Sequence, residues 1–239
     1  MFPLKDTVPR REAPFVMWAL IGVNALAFFF EHSLGGPAFA RFIELFALIP
    51  ARYTSTEWSL AVGLDPHSYW PFLTYMFLHG GWLHIIGNMW FLWIFGDNVE
   101  DRMGHRRFLL FYLSCGVASV LFYMVIYPES TTPLIGASGA ISGVMGAYIL
   151  MFPTARVLTL IPIFIFPYIV ELPSLIFIGF WFLFQLISGA FGMADPNAGQ
   201  GIAWWAHIGG FIAGMILLPL FKRRAKAYRP YFPDERTFW

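Results

Sequence analysis

The stretch GASGAISGVMGA, residues 136–147, decides which class of fold this chain can adopt. It is apolar enough for lipid, yet glycine and serine recur through it, so it offers little side-chain surface. Small residues in a membrane helix let neighbouring helices approach closely, and an activated serine can also act as a nucleophile. The stretch therefore predicts a short helix enclosed by other helices. It also raises the question whether Ser138 or Ser142 performs chemistry.

The composition of the whole chain agrees with a membrane protein. Of its 239 residues, 58% are hydrophobic and 12% are charged, whereas soluble domains are about 45–50% apolar and about 25% charged. A net charge of +1 provides no broad basic field, which argues against a nucleic-acid partner. The single cysteine, Cys115, lies in an apolar run and is predicted to be a small buried hydrophobe.

Six segments are apolar over about the 20 residues that a helix needs to cross a bilayer. We predict an all-α polytopic membrane protein with a polar N-terminal segment (1–14), a membrane domain (15–221) and a basic C-terminal tail (222–239). Two prolines interrupt a further apolar segment, 157–171, which we predict to be an interfacial loop. The predicted spans are 15–32, 80–97, 107–127, 136–152, 172–190 and 203–221.

The positive charges beside these spans predict their orientation. All but two of the 15 lysines and arginines precede span one, lie between spans two and three or four and five, or follow span six. Because cytoplasmic loops are enriched in lysine and arginine, we predict that both termini are cytoplasmic. Spans two, four and six then begin at the outer face. A six-span core with no seventh helix fits a prokaryotic plasma membrane, and an organelle membrane is the open alternative.

Two connections on the outer side are unusual. The first, 33–79, has too many aromatic residues for a solvated linker and predicts a structure half-embedded in the membrane surface. The second, 191–202, is rich in glycine and polar residues and predicts a mobile loop beside span six. Both connections lie on the side where spans two, four and six begin.

Four polar side chains lie near the outer ends of those three spans. His84 and Asn88 are four residues apart and therefore share one face of span two. Ser138 lies in the first turn of span four, and His207 lies about one turn inside span six. At about 1.5 Å of rise per residue, all four can occupy one layer. Since polar groups at membrane depth are costly and by default mark function, we predict that this layer is the functional site.

These side chains suit acyl transfer. His207 can take the proton of the Ser138 hydroxyl and so activate it as a nucleophile. No Asp or Glu lies near His207 at this depth, so the pair would be a dyad rather than a triad. The side chains of His84 and Asn88 can donate hydrogen bonds to an oxyanion, as can the backbone N–H of Ser138 at the start of a helix.

The same residues also have structural interpretations. The two GxxxG pairs, 139/143 and 210/214, are common packing motifs, although close packing of these spans would also bring the polar layer together. An intramembrane serine usually donates to its own i−4 carbonyl, which is our prediction for Ser142. Histidines can bind zinc or relay protons. His79, at the loop edge, is predicted to be structural or interfacial. Because the layer contains no Cys, Asp or Glu, we predict no metal and no cofactor.

Four motifs follow one another along the chain on these spans. They are HxxxN (His84 and Asn88), GDNVEDRMG with its Glu-x-Arg turn (96–104), GxSG (136–139) and AHxxGxxxG (206–214). Together, in this order and on one side of the membrane, they resemble the motifs of rhomboid intramembrane serine proteases. The resemblance covers nearly the whole chain, from the first span through the sixth, and implies a six-helix rhomboid-like bundle.

The resemblance also implies roles. Ser138 would be the nucleophile and His207 the general base and acid, with His84, Asn88 and the Ser138 N–H forming the oxyanion hole. The reaction would be hydrolysis, without cofactor, of a peptide bond in or next to the transmembrane segment of a single-span protein. The connection 33–79 would be the half-embedded element of this fold, and the loop 191–202 would cover a water-filled site opening to the outer face.

Two positions depart from the family's pattern. In the first connection, Trp70-Pro71 stands where many members have Trp-Arg. Ser142 stands where some members have an aromatic residue stacked on the catalytic histidine, so the sequence leaves open what orients His207.

Two other classes of function compete with the protease. A non-catalytic rhomboid-like protein that binds transmembrane helices should lack the Ser or the His. A small transporter would need polar residues through the inner half of the bundle. The sequence names neither a substrate nor an oligomeric state.

Overall fold

The computed structural model describes residues 1–163, 166–194 and 203–223. The chain is mostly helical, and one helix lies in each of the six segments predicted as spans. The elements of the described chain are β1 (Phe2–Asp6), α1 (Phe15–Ser33), α2 (Gly36–Phe46), α3 (Ala51–Thr54), α4 (Thr56–Ala61), α5 (Pro71–Thr74) and a 3₁₀ turn (Tyr75–Phe77), then α6 (Trp82–Met103), α7 (His105–Ile126), α8 (Ser138–Met151), β2 (Arg156–Ile163), β3 (Phe166–Pro173), α9 (Ser174–Ala194) and α10 (Trp204–Phe221).

Four of the described helices are long and apolar enough to cross a membrane: α1, α7, α9 and α10. Helix α8 has only 14 residues. Helix α6 continues past the predicted end of span two and takes in the charged sequence Glu100-Asp101-Arg102. The described residues therefore contain four candidate spans by length and composition, and the count of six stays a prediction.

Helix α8 is the centre of the bundle. Every residue from Gly139 to Ile149 is buried, and α8 packs on α10, α7 and α6. A helix that buries all of its faces must be surrounded, and the small residues of this stretch make that possible. The prediction of a short, enclosed helix from the sequence 136–147 is confirmed.

The segment predicted as an interfacial loop is a β-hairpin, so the chain is mostly helical rather than all-α. Strands β2 and β3 pair antiparallel, with Pro162 opposite Pro167. The N-terminal segment adds β1 to the free edge of β2, which makes a three-stranded sheet in the order β1-β2-β3. The two prolines led to the prediction of a loop, because proline lacks the N–H that the interior of a strand needs and is ordinarily evidence against a strand.

This sheet contacts the C-terminal end of α8. The carboxylate of Asp6 accepts hydrogen bonds from the Tyr148 hydroxyl at 2.6 Å and from the Asn98 amide at 2.7 Å. Burial raises the pKa of Asp6 above its usual value. The first residues of the chain thus pack against the helix whose other end carries Ser138.

Helix α1 is anchored at its N-terminus by Glu100. The buried Glu100 carboxylate accepts from the backbone N–H groups of Val16 at 3.0 Å and Met17 at 2.7 Å. Free N–H groups at a helix start need such acceptors, and a negative charge there is favourable. The Glu-x-Arg motif after span two therefore also fixes the start of the first helix.

Arg52 organises the first connection from within. Its side chain is only 2% exposed, and it donates to the carbonyls of Leu45 and Asp65, both at 3.0 Å. Pro71, at the departure from the family's Trp-Arg pair, begins α5, and Trp70 is exposed. An arginine therefore holds this connection together, but it comes from a different position in the sequence.

Two predicted segments fall partly outside the described residues. The loop predicted over 191–202 starts within α9, which runs to Ala194, and residues 195–202 are not described. Of the tail predicted over 222–239, the structure describes only Lys222 and Arg223.

Candidate active site

Ser138 is the first residue of α8, and the backbone before it explains its position. Gly136 has a φ of +121°, a backbone conformation that residues other than glycine rarely adopt. A Cβ atom at Gly136 would lie 2.7 Å from His84 Nε2. Glycine is therefore required here for two reasons, and the backbone it allows passes close to the His84 imidazole immediately before Ser138.

The structure brings Ser138 and His207 into direct contact. Ser138 Oγ lies 2.7 Å from His207 Nε2, within the reach that proton transfer from a nucleophile to a base requires. The Ser119 hydroxyl on α7 donates to the Ala206 carbonyl at 2.7 Å, which holds the start of α10 in place. The sequence-predicted pair is therefore in hydrogen-bond contact although 69 residues separate its members.

Backbone packing between α8 and α10 sets this distance. A Cβ atom at Gly210 would lie 2.0 Å from the Gly139 carbonyl oxygen, and one at Gly214 would lie 2.0 Å from the Gly143 carbonyl oxygen. The two GxxxG pairs thus face each other with no room for a side chain between them. The prediction that these glycines bring the two helices close is confirmed.

His84 and Asn88 lie on one face of α6 and line the same cavity as Ser138 and His207. His84 Nδ1 accepts from the backbone N–H of Gly80 at 3.4 Å. A neutral imidazole that accepts at Nδ1 carries its proton on Nε2. His84 therefore presents an N–H donor to the turn that precedes Ser138.

Asn88 is held by His79. The Asn88 amide nitrogen lies 2.9 Å from His79 Nε2, and the backbone N–H of His79 donates to the Glu31 carboxylate on α1 at 3.1 Å. Burial lowers the pKa of His79 to about 3, so its ring is neutral near pH 7 and can accept at Nε2. The structural role predicted for His79 takes the form of support for Asn88.

Ser142 does not point at His207. Its hydroxyl donates to the Ser138 carbonyl at 2.6 Å, and the residue is almost completely buried. This is the i−4 backbone bond predicted for it. The structure therefore distinguishes the two serines of the opening stretch, because only Ser138 lies beside an imidazole.

The sequence analysis missed Gln185 on α9. Its Oε1 lies 2.8 Å from His207 Nδ1, and the Trp181 ring packs against the imidazole with centroids 6.2 Å apart. A signal was available, since a glutamine within an apolar span is a costly polar group at membrane depth. Gln185 lies on span five, outside the three spans whose outer ends carry the other four polar side chains.

The four predicted side chains and Gln185 surround one cavity of about 1300 Å³. Among the described residues, no group of three or more His, Cys, Asp or Glu side chains is placed to hold a metal ion. The cavity instead presents a hydroxyl, a base and several N–H donors. This arrangement is chemically suited to attack on a carbonyl carbon.

A bundle of apolar helices around a half-buried Ser–His pair defines a class of membrane protein, and comparison with known proteins gives the family. Residues 66–224 match the model of the rhomboid domain. The chain belongs to the rhomboid family and is an integral membrane protein.

The chain is similar to several curated rhomboid proteins. It is 28% identical to the mitochondrial rhomboid protein 1 of Saccharomyces cerevisiae over 84% of this chain and 51% of that protein. It is 39% identical to the rhomboid protease GluP of Bacillus subtilis over 39% of this chain and 19% of that protein. The putative rhomboid protease YdcA of the same bacterium is 33% identical over 45% of this chain and 55% of that protein. The chain thus spans about half, or less, of the length of these relatives.

Proposed function

We propose that this chain is an intramembrane serine endopeptidase that cleaves peptide bonds in or next to transmembrane segments by a Ser138–His207 dyad. The observation that carries the proposal is the 2.7 Å contact between Ser138 Oγ and His207 Nε2 at the wall of a large cavity. Membership in the rhomboid family and the names of two relatives, both called proteases, support it.

The proposed reaction follows from the positions of these atoms. Ser138 Oγ attacks the scissile carbonyl carbon while its proton moves to His207 Nε2. The oxyanion that forms accepts hydrogen bonds from His84 Nε2–H, from the Asn88 amide and from the backbone N–H of Ser138. His207 then gives the proton to the departing amine. Water next attacks the acyl carbon while His207 takes one of its protons, and His207 returns that proton to Ser138 Oγ as the new carboxyl end leaves.

The membrane arrangement belongs to the same proposal. Helices α6 and α8 complete a six-span bundle with α1, α7, α9 and α10, and both termini are cytoplasmic, as the positive charges indicate. The first connection is half-embedded, and the cavity opens toward the outer face. The substrates are single-span membrane proteins, no cofactor takes part, and the membrane is a prokaryotic plasma membrane. Relatives named as mitochondrial or chloroplastic make organelle membranes the alternative.

The test is a fluorophosphonate probe, which forms a covalent bond with an activated serine. We expect the purified parent protein to be labelled and to cleave a model transmembrane substrate, and we expect Ser138→Ala to abolish both activities. Removing a nucleophile of this kind costs about 10⁶-fold in kcat in a well-studied serine protease. Cleavage retained by Ser138→Ala would overturn the proposal. A parent protein that binds transmembrane helices without labelling would instead identify a non-catalytic binder.

A further inference from the structure

Gln185 contacts His207 on the side opposite Ser138. Its side chain is 3% exposed, and its Oε1 lies 2.8 Å from Nδ1 of the imidazole. The other ring nitrogen of His207 faces the Ser138 hydroxyl. The imidazole is therefore held at both nitrogens, by α8 on one side and by α9 on the other.

A second hydrogen bond determines which way the Gln185 amide points. Its Nε2 donates to the backbone carbonyl of Trp181 at 3.3 Å. A carbonyl oxygen can only accept, so the nitrogen end of the amide must face Trp181. Turning the amide over would place two acceptors against each other. The oxygen end therefore faces His207.

The amide orientation determines the tautomer of His207. Oε1 has no proton to donate, so Nδ1 must carry the hydrogen in this bond. In the neutral ring, Nε2 is then unprotonated, with its lone pair directed at Ser138 Oγ. The donors and acceptors from the Ser138 hydroxyl to the Trp181 carbonyl form one consistent series, in which every donor meets an acceptor.

We propose that Gln185 is the positioning residue that orients His207 and fixes the tautomer that can act as a base. The proposal rests on the proposed protease function and answers what replaces the aromatic residue absent at position 142. During the reaction the Ser138 proton moves to Nε2, and the Nδ1 proton stays on the ring and remains donated to Oε1. Gln185 itself neither gains nor loses a proton.

The choice of an amide has a physical reason. In serine proteases with a triad, a carboxylate holds the histidine and also stabilises its positive charge. A carboxylate buried at membrane depth is expensive. A neutral amide supplies the orientation and the correct tautomer without the cost of burying a charge, and its dipole partly stabilises the imidazolium.

The experiment compares Gln185→Met with Gln185→Glu in the full chain in detergent. Methionine has nearly the same length and shape but no oxygen acceptor, whereas glutamate retains an acceptor oxygen at the same reach. We expect Gln185→Met to lower kcat at least tenfold and to change KM less than twofold, because the loss affects proton transfer and not substrate binding. We expect Gln185→Glu to keep kcat within tenfold of the parent. Leu183→Ala, a change at an exposed position of the same helix, should leave kcat unchanged.

The outcomes separate this proposal from the proposed function. A Gln185→Met protein that unfolds at the parental temperature but keeps kcat within twofold would overturn the role of Gln185 and leave the dyad intact. Equal losses in Gln185→Met and Gln185→Glu, or a change confined to KM, would also overturn it. If Gln185→Met does not fold, the kcat values of Gln185→Glu and Gln185→Asn are compared instead. The asparagine side chain is too short to reach Nδ1, so Gln185→Asn should have the lower kcat, and equal values would overturn the proposal. Cleavage by Ser138→Ala would instead remove the protease function itself.

Discussion

Of the helices that pack on α10, α8 and α9 position His207 by different means. Against α8, the contact is between backbones, and glycine carbonyls lie where any side chain would have to be. Against α9, the contact is between side chains: Phe182 stacks on Phe211 with ring centroids 4.5 Å apart, and Gln185 reaches the imidazole. The first contact determines how far His207 is from Ser138, and the second determines which way its ring is turned. The Ser138–His207 distance is therefore set by a rigid contact between two backbones. The orientation of the imidazole is set by side chains, which can change rotamer.

Between these two contacts, the larger effect is expected from a single methyl group added to the backbone contact. In Gly210→Ala, the new Cβ would lie 2.0 Å from the Gly139 carbonyl oxygen, so the two helices must separate. Overpacking of this kind costs about 1–3 kcal/mol of stability, and a displacement of about 1 Å at a reacting group can cost about 100-fold in rate. We expect Gly210→Ala to have a lower unfolding temperature than the parent. We also expect its rate of fluorophosphonate labelling to fall by about 100-fold.

The matched control is Gly179→Ala on α9, where a Cβ atom meets nothing within 4 Å. Its unfolding temperature and labelling should equal those of the parent. Parental labelling in Gly210→Ala would show that the close crossing of α8 and α10 does not determine the Ser138–His207 distance.

A smaller effect is expected on the α9 side when the ring beside His207 is replaced. Trp181 packs against the imidazole and against Phe211, with centroids 6.2 Å apart in both pairs. Aromatic pairs contribute about 0.5–1.5 kcal/mol beyond their buried area, so Trp181→Leu should lower kcat by about 2- to 10-fold, at 1.4 kcal/mol for each factor of ten. Steady-state cleavage of a model substrate measures this. If Trp181→Leu lost as much activity as Gly210→Ala, the side-chain contact with α9 would matter as much as the backbone contact with α8, contrary to the comparison.

The smallest effect is expected at the second serine. Ser142→Ala removes a hydroxyl whose described hydrogen bond goes to the Ser138 carbonyl, and one such bond contributes about 0.5–1.5 kcal/mol to stability. We expect labelling and kcat within about twofold of the parent, since the contribution of this bond is to packing rather than chemistry. A loss approaching that of Ser138→Ala would assign Ser142 a part in the reaction.

The site was more predictable than the fold around it. His84, Asn88, Ser138 and His207 were found because polar groups are rare at membrane depth and because helix rise converts sequence position into depth. Gln185 carries the same signal, but its relevance depends on which face of α9 turns toward α10. The β-hairpin was missed because its prolines oppose strand formation locally. Its pairing with residues 2–6 joins segments about 150 residues apart.

The sequence by itself determined that the chain lies in a membrane and where its long helices run, and it predicted four polar side chains that line one cavity. These properties depend on composition and on the periodicity of single helices, which are local. The tertiary structure alone decided how closely Ser138 approaches His207, that a glutamine from a third helix contacts the imidazole, and that the N-terminal strand joins the hairpin. Each of these depends on the rotation and separation of elements far apart in the chain, which backbone packing sets and local sequence does not encode.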